Sequence, residues 1–168
     1  MVDFISDLKI RGRLLQREIR EGEADALSRA RKLKDFKTST DDDIMVQVQR
    51  RHCLNLIAAE LGFPSWHGLK QILSGATVDD FGTALYRQGC GAHFNIWSAS
   101  YDEAATIRAE HGGTLLPYKN QFIVVDDDYL TEIGLDPGDP DLAAIARDWA
   151  KPKDFTARAR LYEKVLAV

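Results

Sequence analysis

The spacing of apolar residues changes near the middle of the chain, and this change limits the folds open to it. In the first part, Ile5, Leu8 and Leu15 recur at three- and seven-residue spacings, which is typical of one face of an amphipathic helix. Residues 93–97 instead alternate between two faces, and residues 114–125 hold two short runs rich in strand-forming side chains. The sequence therefore predicts an α+β protein.

The predicted architecture has two parts separated at Gly75. Residues 1–74 form an N-terminal helical bundle, which is expected to pack on the second part as one compact unit. Residues 75–168 hold a small three-stranded β-α-β-β sheet that C-terminal helices close. If the helix after the first strand makes a right-handed crossover, that strand pairs in parallel with a strand of the hairpin.

Capping residues predict where several helices begin and end. A helix over residues 44–61 is expected to end at Gly62 in a left-handed conformation, and Thr77 is placed to cap a short helix that follows. Ser100 and Glu103 have the spacing of a capping box. Each of these signals is local, since it depends on residues within one turn of the helix end.

The hairpin and the C-terminal region are predicted from turn chemistry. Lys119 and Asn120 are a two-residue turn, in which the asparagine is expected to adopt a positive φ. Pro117 cannot donate to a neighbouring strand, so it should lie at a sheet edge or have its nitrogen facing away from the pairing. A helix that starts at Pro140 is expected to bury Trp149.

Composition limits the class of protein. The chain has 168 residues, 45% of them hydrophobic, and only two cysteines, which are too few for a disulfide framework. Its N-terminus mixes acids and bases among the apolar residues, unlike a signal peptide, and no stretch is long and apolar enough for a bilayer. We expect a soluble cytoplasmic protein without a membrane partner.

Charge is divided unequally along the chain. Residues 1–74 hold 13 basic and 11 acidic side chains, whereas residues 75–168 hold 9 and 15. Residues 44–73 suggest a DNA-binding helix-turn-helix, but their second helix spends Trp66 and Leu69 on packing and keeps Lys70 as its only cation. Nucleic acid is therefore an alternative partner and not the expected one.

The segment Leu61–Trp66, with Leu69 and Lys70 after it, resembles a helical element found ahead of ankyrin repeats in bacterial proteins. Residues 22–27 are similar to that element too, and the resemblance covers residues 5–73. It implies a helical packing or interaction module without catalysis. The remainder resembles bacterial proteins from which no activity can be carried over.

Cys90 and His93 are the nearby pair that could serve as nucleophile and base. Their spacing does not itself bring the side chains together, so a buried thiol and a strand-end histidine explain the same residues. His111 and the aspartates at 126–128 could join them at a metal only if the fold converges them, and helix capping explains the aspartates better. We predict no metal and no cofactor.

One polar and aromatic row has the composition of a ligand site. It consists of His93, Asn95, Trp97, Tyr101 and Tyr118. The same residues would also suit contacts between a helix and the sheet. Which of the two they form depends on how the strands and helices come together.

The sequence thus predicts a non-catalytic module for protein interaction or small-ligand binding. Its partner would be a second copy of the chain or another protein, held by an apolar surface on the N-terminal helices. An enzyme using Cys90 and His93, and a DNA-binding protein using residues 44–73, are the alternatives.

Overall fold

The computed structural model describes residues 4–76 and 80–167. The chain forms helices and one three-stranded antiparallel sheet with helices on both of its sides, so the predicted α+β class is confirmed. The chain divides into two compact units, Met1–Trp66 and His67–Val168.

The first unit is a helical bundle in which the longest helix, α1, packs against the other three. Its helices are α1 (Phe4–Arg20), α2 (Ala24–Ala30), α3 (Asp41–Gln47) and α4 (Arg50–Glu60), with a 3₁₀ turn at Lys34–Phe36. The apolar stripe predicted for α1 is buried, including Leu8, Leu15 and Ile19. Gly12 lets α4 approach closely, because a Cβ there would lie 2.8 Å from Leu54 Cδ2.

The prediction of one continuous helix over residues 44–61 is wrong. The backbone is extended at Val48, with φ −61° and ψ 125°, and this break separates α3 from α4. The Val48 carbonyl accepts hydrogen bonds from Gln16 Nε2 and Arg20 Nη2, both at 3.3 Å, so side chains of α1 satisfy it in place of a helical N–H. Gly62 follows α4 with a φ of 87°, as predicted.

The remaining chain supplies the sheet and its helices. They are α5 (Trp66–Leu73), β1 (Asn95–Ser98), α6 (Tyr101–His111), β2 (Thr114–Tyr118), β3 (Gln121–Val125), α7 (Asp127–Glu132), α8 (Pro140–Ala144) and α9 (Phe155–Leu166), with a 3₁₀ turn at Cys90–Ala92.

The strand order is β1-β3-β2, and every pair in it is antiparallel. The parallel pairing that a right-handed crossover after the first strand would give is therefore not formed. The hairpin already places β3 beside β2, and β1 takes the open edge of β3, with Trp97 opposite Ile123. Pro117 lies in β2 at the edge of the sheet, as predicted.

Thr77, the predicted cap of a short helix, lies outside the described residues. Residues 80–89 are described and contain no helix, so the expectation is wrong there. The backbone bonds to the hairpin turn instead: Phe81 N–H donates to Lys119 O at 3.1 Å, and Lys119 N–H donates to Gly82 O at 2.8 Å. This tether accompanies the positive φ of 53° at Lys119, which the sequence had assigned to the following asparagine.

The helix expected to reach Trp149 is shorter than predicted. It ends at Ala144, and the next turn has positive φ values of 56° at Ala146 and 51° at Arg147. Trp149 is still completely buried. Its backbone N–H donates to Leu115 O at 2.9 Å, which holds this segment against the outer edge of β2.

Only half of the predicted capping box at the start of α6 forms. The Ser100 side chain accepts from Glu103 N–H, as expected. The Glu103 carboxylate does not return the bond to the Ser100 amide; it accepts a 2.5 Å hydrogen bond from the Ser98 hydroxyl. Ser98 Oγ in turn accepts from Ser100 N–H at 2.9 Å, so a third residue links the two halves.

Candidate functional site

Three aromatic rings lie against one another on the sheet face that carries Asn95 and Trp97. The centroids of Trp97 and Tyr118 are 5.3 Å apart in an edge-to-face arrangement. Tyr86, which the sequence analysis did not select, completes the group at 5.5 Å from Trp97 and 5.3 Å from Tyr118. We call Tyr86, Trp97 and Tyr118 the ring cluster.

Asn95 orients the indole of the ring cluster. Trp97 Nε1 donates to Asn95 Oδ1 at 2.9 Å, and Asn95 Nδ2 donates to His93 O at the same distance. The oxygen and the nitrogen of the Asn95 amide therefore both bond to residues two positions away in the chain. The rings contact one another edge to face and pack as a contact cluster, in which Trp97 keeps 41% of its surface exposed.

Tyr101 lies on the opposite side of the sheet from the ring cluster. It packs, together with Phe122, on the buried group formed by Ala104, Leu115 and Val124. Its hydroxyl donates to Asp148 Oδ2 at 2.6 Å. Burial and this hydrogen bond to a carboxylate raise the pKa of Tyr101 to about 12. The five predicted pocket residues are therefore not all brought together.

His93 lies at the start of β1 and faces α7. Its Nε2 is 3.8 Å from Glu132 Oε2, and its ring centroid is 6.4 Å from that of Tyr129. The imidazole is partly buried. Its position suits an ion pair with Glu132 when the ring is protonated.

Cys90 is completely buried in the 3₁₀ turn that precedes β1. Its thiol is in hydrogen-bonding contact with the Tyr129 hydroxyl, which donates to Leu85 O at 2.8 Å. Burial raises the pKa of Tyr129 strongly, so this hydroxyl stays neutral. Cys90 meets His93 through the backbone, where His93 N–H donates to Cys90 O at 3.3 Å.

The aspartates at 126–128 border a cleft of about 570 Å³ that His111 and Arg147 also line. Asp126 caps α7 by accepting from Tyr129 N–H, which confirms the predicted capping role. Asp127 Oδ1 lies 2.7 Å from Arg147 Nη1, so one of the charges is already paired. In residues 4–76 and 80–167, no group of three His, Cys, Asp or Glu side chains could hold a metal ion.

A second cavity, of about 460 Å³, lies at the hairpin-turn end of the Tyr101 face. We call it the Phe122 cavity. It is lined by Gly75, Ala76, Phe81, Tyr101, Lys119, Asn120, Phe122, Ala150, Lys151, Pro152, Phe155 and Arg158.

Four aromatic rings from four separate segments form much of the wall of the Phe122 cavity. Tyr101 and Phe122 meet edge to face with centroids 5.7 Å apart. Phe155, at the first turn of α9, contributes a ring that is 48% exposed. Gly75 has a φ of 83°, and a Cβ there would lie 2.7 Å from Phe155 Cγ, so only glycine lets this ring lie against the backbone.

Arg158 is the buried cation of the Phe122 cavity. Only 2% of its surface is exposed, and its two terminal nitrogens donate to Trp149 O at 3.2 Å and Ile72 O at 2.7 Å. Its Nε has no hydrogen-bond partner among the described residues. Burial lowers the pKa of Arg158, yet a guanidinium keeps its proton at neutral pH.

Two lysines add charge at the rim of the Phe122 cavity. Lys151 Nζ lies 3.6 Å from the centroid of the Tyr101 ring, close enough for a cation–π contact. Lys119 lines the cavity too, and its Nζ lies 5.4 Å from the centroid of Tyr118, a ring of the ring cluster. Among the described residues, no carboxylate forms an ion pair with either lysine or with Arg158.

Sequence reasoning selected Tyr101 but missed the rest of this cavity. Its wall joins Gly75, Ala76 and Phe81 to side chains from residues 150–158, which are distant in sequence and show no shared local pattern. The only local signal was the grouping of Lys151 and Pro152 just before Phe155, where a cation and an aromatic ring flank a turn.

A functional proposal for the chain rests on the geometry described above. No known protein family, no curated protein and no solved structure matches the chain.

Proposed function

We propose that the protein is a non-catalytic module that binds a small ligand in the Phe122 cavity. The observation that supports this most is the aromatic wall, which leaves about 460 Å³ open beside Tyr101, Phe122 and Phe155. Ligand sites of proteins are concave, mostly apolar and of about 300–1,000 Å³, with few polar groups. Neither this cavity nor the cleft beside the aspartates at 126–128 is lined by a residue of the ring cluster.

Binding of a neutral aromatic probe tests this proposal. Fluorescence of N-phenyl-1-naphthylamine should rise saturably with one site per chain. Phe155→Ala removes an exposed wall residue and should weaken binding about tenfold, since it deletes one aromatic face of the site. Phe94→Ala is the matched control, because Phe94 is also exposed, at 62%, and does not line the Phe122 cavity.

Unsaturable binding, or equal affinity of the two variants for the probe, would count against the proposal. Circular dichroism of each variant checks that the fold is kept. Phe155 and Phe94 are both exposed enough that truncation is expected to change stability little.

Association of two copies through α1 is a second candidate, because the bundle leaves apolar side chains in solvent. Ile10 is 47% exposed and Leu14, one turn later, is 43% exposed. They form a short apolar stripe on the outer face of α1, as a dimer contact would need. Light scattering after size exclusion should then report a dimer that Leu14→Glu converts to a monomer; a monomeric parent protein contradicts this candidate.

The proposed compartment is a reducing cytoplasm, since Cys53 and Cys90 are both free thiols. None of the helices in residues 4–76 and 80–167 has both the length and the apolar character to span a bilayer.

A further inference from the structure

We infer that the Phe122 cavity selects ligands that join a flat apolar body to an anionic group such as a carboxylate. This inference rests on the proposed function, because it names the class of ligand for the same cavity. The inference is based on the charged residues that line the cavity and on the buried guanidinium of Arg158, which bonds only to backbone carbonyls among the described residues.

The charge lining the cavity is opposite to that of the surrounding chain. Residues 75–168 hold 15 acidic and 9 basic side chains. The described lining of the cavity nevertheless includes Lys119, Lys151 and Arg158 and no acidic residue. A site that concentrates cations within an acidic region favours an anion over a neutral or cationic ligand of the same shape.

Arg158 gives this charge a fixed position. Buried cations are ordinarily paired with a carboxylate, because removal from water costs several kcal/mol per ion. Only 2% of the surface of Arg158 is exposed to solvent. Backbone carbonyls are its only hydrogen-bond acceptors among the described residues. Its Nε is unpartnered there as well. An anion in the adjoining cavity would supply the missing negative charge.

The carboxylate of Asp148, which bonds to two lining residues of the cavity, is already engaged. Asp148 is 4% exposed, and its two carboxylate oxygens accept from the Tyr101 hydroxyl at 2.6 Å and from Lys151 N–H at 2.8 Å. Asp148 does not line the cavity. The Lys151 side chain is instead held over the Tyr101 ring, which leaves its ammonium group to meet a ligand.

Three probes that share one aromatic body test the inference in the full chain. They are 2-naphthoate, neutral 2-naphthamide and cationic 2-naphthylmethylammonium. Calorimetric titration at low ionic strength should give naphthoate about tenfold tighter binding than naphthamide, with the ammonium probe weakest. Added salt should narrow the difference, because the rim lysines are exposed to solvent.

A charge-removing pair of variants assigns the effect to the cavity. Lys151→Met should weaken naphthoate binding about fivefold and leave naphthamide binding unchanged. Lys153→Met is the matched control, since Lys153 is also exposed but does not line the cavity, and it should change neither. Arg158→Met should weaken naphthoate binding further; if this variant fails to fold, the lysine pair still decides.

The outcomes separate the two proposals. Equal affinity for the three probes, or a preference for the neutral or cationic one, overturns the anion inference and leaves the cavity as a ligand site. Failure of all three probes to bind overturns both. Equal losses in Lys151→Met and Lys153→Met also overturn the inference, because the preference would then come from net charge.

Discussion

On one face of the three-stranded sheet, Tyr86, Trp97 and Tyr118 lie edge to face within 5.5 Å of one another. On the other face, Tyr101 and Phe122 also meet edge to face, but they border a cavity of about 460 Å³. Tyr101 and Phe122 therefore line a cavity, whereas no residue of the ring cluster lines either of the two cavities described above. Aromatic residues on a strand indicate a binding site only where neighbouring segments leave a space beside them.

The largest expected effect concerns the glycine that supports the cavity wall. Gly75→Ala should lower the free energy of unfolding by about 3 kcal/mol, because it combines a positive φ with a Cβ that meets Phe155 at 2.7 Å. Gly22→Ala is the matched control: its φ is 82°, and the nearest atom to the added Cβ is Met45 Sδ at 3.6 Å, an ordinary contact. It should cost only about 1 kcal/mol.

Urea denaturation of both glycine variants measures this difference. Equal losses would mean that Phe155 moves freely and that the wall of the Phe122 cavity is not fixed by close packing. A larger loss in Gly75→Ala supports a rigid wall.

Tyr101→Phe should cost about 1.5 kcal/mol at neutral pH, because it removes a hydrogen bond to the buried carboxylate of Asp148. The pKa of Tyr101 is raised from 10.0 to about 12 in the folded state. Its contribution is therefore complete below pH 10 and is lost as the pH rises from 10 to 12. The stability difference between parent and variant should shrink across that window.

Denaturation midpoints at pH 8, 10 and 12 provide the test of this pH dependence. Tyr118→Phe, the matched hydroxyl deletion on the other face, should cost less at pH 8. A difference between parent and Tyr101→Phe that stays constant up to pH 12 would contradict the role given to the Tyr101 hydroxyl.

The ring cluster should behave as one energetic unit. A double-mutant cycle of Trp97→Ala and Tyr118→Ala should give a coupling energy of about 1 kcal/mol, as expected for aromatic rings 5.3 Å apart. A cycle of Trp97→Ala and Tyr101→Ala should give almost none, because these residues lie on opposite faces. Strong coupling across the sheet would break the distinction between the two faces.

The smallest expected effect is the absence of a reaction at the thiols. Cys53 and Cys90 are both completely buried, and burial raises the pKa of Cys53 to about 11. Iodoacetamide at pH 8 should therefore modify neither in the folded protein and both in urea, as mass spectrometry can show. Rapid alkylation of Cys90 alone would instead support the enzyme alternative.

The sequence predicted the features that depend on neighbouring residues. The two hairpin strands were found from their composition and from the turn between them. The cap at Ser100 and the left-handed Gly62 were found because capping uses backbone groups within one turn. Pro117 lies in an edge strand, which is one of the two positions that its missing N–H allows.

The features that depend on distant residues were missed. The break at Val48 is stabilised by Gln16 and Arg20 of α1, which the spacing of apolar residues within 44–61 does not reveal. The five candidate pocket residues are separated by the sheet, and this separation also depends on residues distant in sequence. Tyr101 follows α6 to the far side of the sheet, and no local pattern fixes that side.

The lining of the Phe122 cavity also depends on residues that are distant in sequence. Tyr101 was selected as a pocket residue for its chemistry, but its pocket is completed by Gly75 and Phe155, 80 positions apart in the numbering. Arg158 gave no signal in the sequence, because an arginine in an amphipathic helix is ordinarily exposed. Its burial is a property of the assembled fold.

A crystal structure of the protein with 2-naphthoate shows which sheet face binds the ligand. We expect naphthalene density between Tyr101, Phe122 and Phe155, with the carboxylate toward Arg158 and Lys151. Density against Trp97 and the ring cluster, or an empty Phe122 cavity at saturating 2-naphthoate, would contradict it.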